Sequence, residues 1–253
     1  MGMNILVVND DGIEAAGFAA LVKALSEVAD VYVCAPESQR SARSHSITLG
    51  QDVIIEKTEF PGAKAAYKIS GTPADCTKIG LQFFAEAGAP IDIVYSGINM
   101  GSNLGRDTLY SGTIGAAAEA ALSGVHAVAV SVDDHDAVYF DVACCLAKEA
   151  IDLVYGKLDK SVVLSINVPN LPKEQIRGIK YVPLGNTRYY DDKFHLVEGS
   201  RYTLSGQPGD YVKPGEENDL SAVAENYAVI TPLQMDFTDY ESLEQIKKWS
   251  LSL

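Results

Sequence analysis

The sequence predicts an α/β protein built on a doubly wound, mostly parallel sheet. Three observations carry that expectation. Short apolar runs of strand length recur through residues 1 to 170, helical stretches lie between them, and the polar or glycine-rich segments come directly after the runs. Crossovers in such sheets are right-handed, and ligands bind beyond the carboxyl ends of the strands. Any site should therefore be assembled from the loops that follow the strands.

The run from Met3 to Val8 reads as a strand buried on both faces, and Phe18, Leu21, Val22 and Leu25 recur at helical spacing after it. Val31 to Ala35 is a second short strand, closing a βαβ unit before Pro36. Thr72 and Pro73 supply an N-cap and a first-turn proline, which predicts a helix from about Pro73 to Ala87 with Ile79, Leu81 and Phe83 partly inward. Ile91 to Tyr95 returns as a strand. A glycine-rich loop from Ser96 to Thr113 then leads into a small-residue helix, Ile114 to Leu122. Strands at Ala127 to Val132 and near Val162 to Asn167 flank a helix near Val138 to Tyr155.

From about Pro169 the composition shifts to Gly, Pro, Tyr and acidic residues. Gly199 to Asp219 reads as hairpins or an extended excursion, Val223 to Ile230 as a strand, and Asp239 to Leu251 as a terminal helix with an acidic start and a basic end. The expected organisation is one domain over 1–253. Residues 1–170 form an α/β core carrying the site, and 171–253 an appended β-hairpin and helix lobe.

Composition narrows the function. A chain of 253 residues buries a core without disulfides, and its 20 basic against 34 acidic residues leave a net charge of −14. Such a surface repels a nucleic-acid duplex, so none is expected as a partner. A phosphate-bearing small molecule needs a local cation or converging N–H groups before it can approach. Cys34, Cys76, Cys144 and Cys145 show no C-x-x-C spacing and read as free thiols of a reducing compartment. No apolar run reaches the ~18 residues of a membrane span, and MGMNILVVNDDG lacks a basic leader, so a soluble cytoplasmic protein without membrane contact is expected.

Chemistry concentrates in three loops. Asn9-Asp10-Asp11-Gly12 follows the first strand and delivers two carboxylates that repel each other unless something positive lies between them. Oxygen donors of this kind suit Mg²⁺ or Mn²⁺ shared with phosphate; alternatively, one aspartate caps the next helix and the other is solvated. The loop from Ala35 to Ser46 places Ser38, Ser41, Ser44 and Ser46 among Arg40, Arg43 and His45, unless it is simply a polar surface loop. In Ser96 to Thr113, Gly97, Gly101 and Gly105 allow backbone N–H groups to approach an anion, and Asn99 offers an amide oxygen to a metal. Ser111, Gly112 and Thr113 open a helix, whose N-terminus is either an anion site or an ordinary cap. His126 and His135 read as structural or solvated, and His45 is the better candidate for a role.

These segments resemble the SurE survival proteins, a family of metal-dependent 5′/3′-nucleotidases. The likeness runs through ILVVNDDGI, AP-x₄-S-x-x-SHSIT from Ala35 to Thr48, SGTPADC, VYSGIN-x-G-x-NLG and YSGT-x-G-A-A-x-EA, covering nearly all of residues 4 to 122. SINVPNLP at Ser165 to Pro172 and ITPLQMD at Ile230 to Asp236 look like the family's later segments. The resemblance implies a Rossmann-like, SurE-type fold and one divalent cation per subunit, Mg²⁺ or Mn²⁺, held by Asp10, Asp11, Ser41 and Asn99. It implies that Asn9, Ser44, Asn103, Ser111, Gly112 and Thr113 surround the phosphate, with Asp10 and Asp11 catalytic. It also implies a nucleoside monophosphate substrate, attacked at the 5′ and possibly the 3′ position, and a homodimer or homotetramer formed by exchanging C-terminal segments.

The expected reaction is in-line hydrolysis by water activated at the cation, with an aspartyl-phosphate at Asp10 as the rival route. A non-catalytic nucleotide-binding or sensor module on the same fold is the alternative from another class. Its weakness is the first turn, which reads Asn-Asp-Asp-Gly rather than G-x-G-x-x-G and sets negative charge where a pyrophosphate would lie.

Overall fold

The computed structural model describes residues 2–187, 192–206 and 216–249. Its centre is a nine-stranded sheet, and the apolar runs of the sequence form its middle. These are β1 (Asn4–Val8), β2 (Asp30–Pro36), β3 (Ile55–Thr58), β4 (Ala63–Ile69), β5 (Ile93–Met100), β6 (His126–Asp133) and β7 (Val162–Pro169). Two later strands, β8 (Ile179–Tyr181) and β11 (Ala228–Gln234), join the same sheet, while β9 (Lys193–Glu198) and β10 (Arg201–Ser205) pair only with each other.

The strand order is β3-β4-β2-β1-β5-β6-β7-β11-β8. From β4 to β7 every neighbouring pair is parallel; β3 and β11 run against their neighbours β4 and β7. The chain winds outward from β1 to β2 and β4, then returns to place β5 on the other side of β1. The order therefore reverses between β1 and β5, and that crevice is where a doubly wound sheet opens to ligand.

Alternation along β1 explains the two layers. Ile5 and Val7 face the core under α1 (Ala16–Ser26) and α4 (Asp141–Val154), with Phe18, Leu21, Leu25 and Leu146. Leu6 and Val8 face the opposite core under α2 (Pro73–Glu86) and α3 (Gly112–Leu122), with Cys76, Phe84 and Ile114. All four β1 side chains are fully buried, and each such aliphatic contributes roughly 1.5–3 kcal/mol by leaving water. α2 begins as its sequence requires, with Thr72 and Asp75 closing a reciprocal capping box ahead of Pro73, and Ile79, Leu81 and Phe83 half-buried.

Several boundaries differ from expectation. The segment expected as a glycine-rich loop is strand through Met100 and a 3₁₀ helix over Gly105–Tyr110, because Asn99 and Met100 pair with Ser131 and Val132 of β6. Val223 and Ala224 end a short helix, α5 (Asp219–Ala224), capped by Asn218, so the expected strand begins only at Ala228. The hairpin expected after Gly199 starts earlier, at Lys193, and residues 207–215 lie outside the described residues. The terminal helix is shorter than expected, α6 (Tyr240–Ile246), with Asp239 as its cap; residues 250–253 lie outside the described set. No helix among the described residues is long and apolar enough to cross a membrane.

Candidate active site

Asp10 and Asp11 leave β1 at the β1/β5 crevice, and neither caps the helix that follows. α1 starts at Ala16 with Ala15 as its cap and no side-chain bond there, which removes the capping alternative. Asp10 is 4% exposed; its carboxylate accepts the Thr113 hydroxyl at 2.5 Å across the crevice. Asp11 accepts the Met100 N–H at 2.9 Å from the end of β5, and the Gln39 amide at 3.5 Å from the loop after β2. One pair of adjacent side chains thus ties three strand ends together.

Burial pushes the Asp10 carboxyl up to about 6, opposed by the Thr113 hydroxyl and reinforced by the charge of Asp11. Burial raises Asp11 as well, against the Met100 N–H, the Gln39 amide and the charge of His135. Both groups are held where their ionised forms lack water, the condition a divalent cation relieves. Asn9 adds to this: its Nδ2 donates to the Gly12 carbonyl at 2.8 Å, while its buried Oδ1 has no partner among the described residues. Asn99 donates through Nδ2 to the Gly101 carbonyl at 2.6 Å, leaving its Oδ1 without a partner among the described residues. No cluster of three or more His, Cys, Asp or Glu side chains able to hold a metal occurs among the described residues, so any cation here relies on two carboxylates and neutral oxygens. That donor set fits Mg²⁺ or Mn²⁺ and does not fit a thiolate or imidazole metal.

The helix end opposite the carboxylates is built for close approach. A Cβ on Gly112 would stand 2.8 Å from Asp10 Oδ2 and 2.9 Å from Asp10 Cβ, so only glycine lets the first turn of α3 meet the aspartate. Ser111 caps α3, accepting the Ile114 N–H at 3.1 Å, and Thr113 is committed to Asp10. The cap and anion readings of these two residues therefore coincide at one place.

The loop after β2 is largely exposed but tethered along its length. The Arg40 N–H donates to the Asp10 carbonyl at 2.7 Å, and Ser44 donates through N–H to the Tyr110 carbonyl and through its hydroxyl to the Leu109 carbonyl. Thr48 binds Asp75 through both N–H and hydroxyl, and the Thr72 hydroxyl donates to the Ser46 carbonyl. Ala42 and Ser44 sit at φ 56° and 52°, a left-handed conformation non-glycine residues hold only under outside constraint. Ser41, between them and Arg40, is exposed.

A family model described as survival protein SurE matches residues 5–191. The chain belongs to the SurE family. The 5′-nucleotidase SurE of Pelotomaculum thermopropionicum is 41% identical over 250 residues, 97% of this chain and 95% of the relative. A protein of the same name from Clostridium botulinum is 40% identical over 253 residues, covering 97% and 99%. The crystal structure of the SurE protein from Aquifex aeolicus matches with a TM-score of 0.82 at 31% identity, over 96% of this chain and 98% of that one.

In this SurE-family chain the sequence-predicted residues do not all stand alike. Asp10, Gly112 and Thr113 meet directly, while Asp11 is next to Asp10 but turns to Met100 and Gln39. Asn9, Asn99 and Ser111 are chain neighbours of these groups, Ser44 packs on α3 at Gly115, and Ser41 is exposed without a contact to them among the described residues. Asn103 is drawn instead into a buried network. Its Nδ2 donates to the Ser131 hydroxyl, its N–H donates to Asn167 Oδ1, and its carbonyl accepts the Asn167 amide. His126 lies at the opposite end of the sheet, buried beside Tyr155 at the start of β6. His135, set aside as structural or solvated, lies in the loop after β6 with Nδ1 3.2 Å from the Met100 carbonyl, beside the residue that serves Asp11. Glu119, which holds His45 and takes Lys78 on its other oxygen, was legible only as part of the YSGT-x-G-A-A-x-EA motif; its pairing was not, because it joins segments 74 and 41 residues apart.

Proposed function

We propose that this chain is a metal-dependent phosphohydrolase that removes phosphate from nucleoside 5′-monophosphates. The single observation that supports it best is the pair of adjacent, desolvated carboxylates at the β1/β5 crevice, facing the glycine-opened first turn of α3. The printed names of the relatives, 5′-nucleotidase SurE, agree with that chemistry.

Asp10, Asp11, Ser41 and Asn99 would hold one divalent cation, Mg²⁺ or Mn²⁺. Such a cation supplies charge neutralisation for the phosphate and lowers the pKa of water near it. The remaining work falls to the chain. The Gly112 and Thr113 end of α3 presents N–H groups and the positive end of a helix dipole to the equatorial oxygens, and Ser44, Ser111 and Asn9 frame the phosphate, while Asn103 braces the loop from the buried network with Asn167 and Ser131. Thr113 holds Asp10 in one orientation, so the carboxylate does not reorganise as charge moves. The 3′ position of the nucleotide is a second point of attack within the same reading.

The reading includes a homodimer or homotetramer through the segment 171–253, in a reducing cytoplasm that keeps four free cysteines as thiols. Supporting the assembly is the β9–β10 hairpin, where Phe194 faces Leu204 and Leu196 faces Tyr202 on one side, all more than half exposed. An isolated two-stranded hairpin with an apolar face is marginal in water and calls for a cover.

The deciding experiment is phosphate release from a panel of nucleoside monophosphates with chelator, Mg²⁺ or Mn²⁺. Hydrolysis that stops in chelator and returns with either ion supports the reading. Nucleotide binding without release under every condition would leave the sensor module instead.

A further inference from the structure

Asp219, at the start of α5, is a buried carboxylate that the phosphate reading leaves without a role; it is 1% exposed. Two distant backbone N–H groups and that of its own neighbour converge on it. Gly105 donates to Oδ2 at 2.8 Å, while Gly185 and Leu220 donate to Oδ1 at 2.6 and 2.9 Å. Burial raises this carboxyl and the three N–H groups oppose the rise, so the bonds that join the segments also stabilise the charge.

The contact at Gly105 is close on every side. Gly105 holds φ at 51°, and a Cβ there would stand 2.5 Å from the Thr187 carbonyl oxygen and 3.1 Å from Leu220 Cδ1. The Arg106 N–H donates to the same carbonyl at 2.9 Å, and the Arg106 guanidinium donates to Asn186 Oδ1. Leu104, one residue earlier, is buried in a small core with Val182, Leu220 and Val223. The start of the 3₁₀ helix Gly105–Tyr110 is thus held from within the segment 171–253.

The far end of that helix carries what the phosphate reading uses. The Leu109 carbonyl accepts the Ser44 hydroxyl at 2.7 Å, and the Tyr110 carbonyl accepts the Ser44 N–H at 3.0 Å. Tyr110 leads directly into Ser111, whose N–H donates to the Thr108 carbonyl at 3.2 Å and whose hydroxyl caps α3. The helix has about two turns, so a displacement at Gly105 reaches Ser111 with little between to absorb it.

We infer that Asp219 is a positioning residue for the phosphate-binding turn: by holding the Gly105 N–H it fixes the 3₁₀ helix that sets Ser44 and Ser111 against the phosphate. The inference rests on the phosphate reading at Ser44 and Ser111. It makes the segment 171–253 part of the site, through a bond that spans 114 residues.

The test uses Asp219→Asn in the full chain. Gly185 and Leu220 both donate to Oδ1, so the variant's amide keeps its oxygen toward those two and turns its own N–H groups on Gly105, where no acceptor remains. With Mn²⁺ saturating, kcat/KM for adenosine 5′-monophosphate should fall about tenfold or more, and inhibition by inorganic phosphate should weaken about threefold or more. The Mn²⁺ concentration for half-maximal rate should stay within about twofold, and amide hydrogen exchange should quicken over residues 105–111 while the central sheet stays protected. Asn186→Ala removes only the guanidinium contact at the same junction. It should weaken phosphate inhibition by about twofold, and it carries the test if Asp219→Asn does not fold.

Unchanged phosphate inhibition in folded Asp219→Asn, with exchange quickened only within 179–187 and 219–234, would make Asp219 an anchor of its own segment and overturn the inference. Mn²⁺ and phosphate weakening alike would mark a general loosening and overturn it too, as would Asn186→Ala matching wild type where Asp219→Asn is unfolded. Wild-type protein that releases no phosphate with any divalent cation overturns the phosphohydrolase reading itself, a result that appears before any variant is made.

Discussion

The β1/β5 crevice and the β9–β10 hairpin carry opposite mismatches with their surroundings. At the crevice, ionisable groups are buried: Asp10 is 4% exposed, and the Oδ1 of Asn9 is sealed from water without a donor. At the hairpin, apolar groups are exposed: Phe194 is 71% and Leu196 60% open to solvent. Each mismatch costs free energy in the lone chain, by carboxylate desolvation in one case and apolar hydration in the other. Their difference in construction separates the two. The crevice is fixed by bonds from three strand ends and a helix, so it is preorganised for a small charged ligand. Among the described residues the hairpin's strands pair only with each other, which suits a surface whose shape is completed by a partner.

The largest expected effect breaks the crevice side. Asp10→Asn should reduce kcat for phosphate release by roughly 10³-fold or more, with the protein still folded, because one ligand charge and the Thr113-oriented oxygen are lost together. Asp11→Asn should chiefly weaken metal binding, read as a higher Mn²⁺ concentration for half-maximal rate. Full activity of Asp10→Asn in excess chelator would remove the crevice from catalysis.

Gly112→Ala probes the same contact from the helix side. Its methyl would meet Asp10 at 2.8 Å, so α3 must retreat, and a loss of about 10²-fold in kcat is expected from a shift of that kind. Full activity would mean that the approach of α3 to Asp10 is not used.

Titration sharpens the desolvation side. Burial raises Asp10 from 3.8 to about 6, so in metal-free protein the protonated form favours folding. That contribution is fully present below pH ~4 and is lost as pH rises through ~6; two pH units correspond to about 3 kcal/mol. Asp10→Asn lacks this titration. In chelator it should therefore gain on the wild type across that window, in denaturant melts taken at several pH values, and added Mn²⁺ should close the gap. A difference independent of pH would show that Asp10 is not desolvated.

For the hairpin, Phe194→Glu with Leu204→Glu should lower the sedimenting mass at micromolar concentration while the sheet melts within a few degrees of wild type, the shift expected of surface changes. An unchanged mass would detach the hairpin from assembly. Smallest of all, Ser111→Ala should cost about 1 kcal/mol of stability through the lost cap, with a larger proportional loss of phosphatase activity. A lower melting temperature at full activity would leave Ser111 as a cap only.

Much of this protein was legible in its sequence because the relevant physics is local. Apolar runs of strand length specify buried parallel strands, Thr72-Pro73 specifies the start of α2, and Asn9 to Gly12 announces carboxylates at a strand end. Family motifs pointed to Ser41, Asn99 and Ser111 to Thr113; of these the structure brings Gly112 and Thr113 to Asp10 and leaves Ser41 exposed. Local reading erred where long-range pairing decides: β5 runs on to Met100 because β6 is there to bond it, and Val223 is helical because Asn218 caps a turn that packs over β11.

What the sequence determined by itself is the set of elements and the chemical kinds of group at their ends, since periodicity, caps and turns act within a few residues. Only the tertiary structure decided that the strand order reverses between β1 and β5, bringing Asp10 to Thr113 across 103 residues and His45 to Glu119 across 74. It likewise decided that Asn103 faces a buried network and that His135 stands against the Met100 carbonyl. The physical reason is that burial and charge pairing depend on which surfaces meet, and no spacing along the chain encodes that meeting.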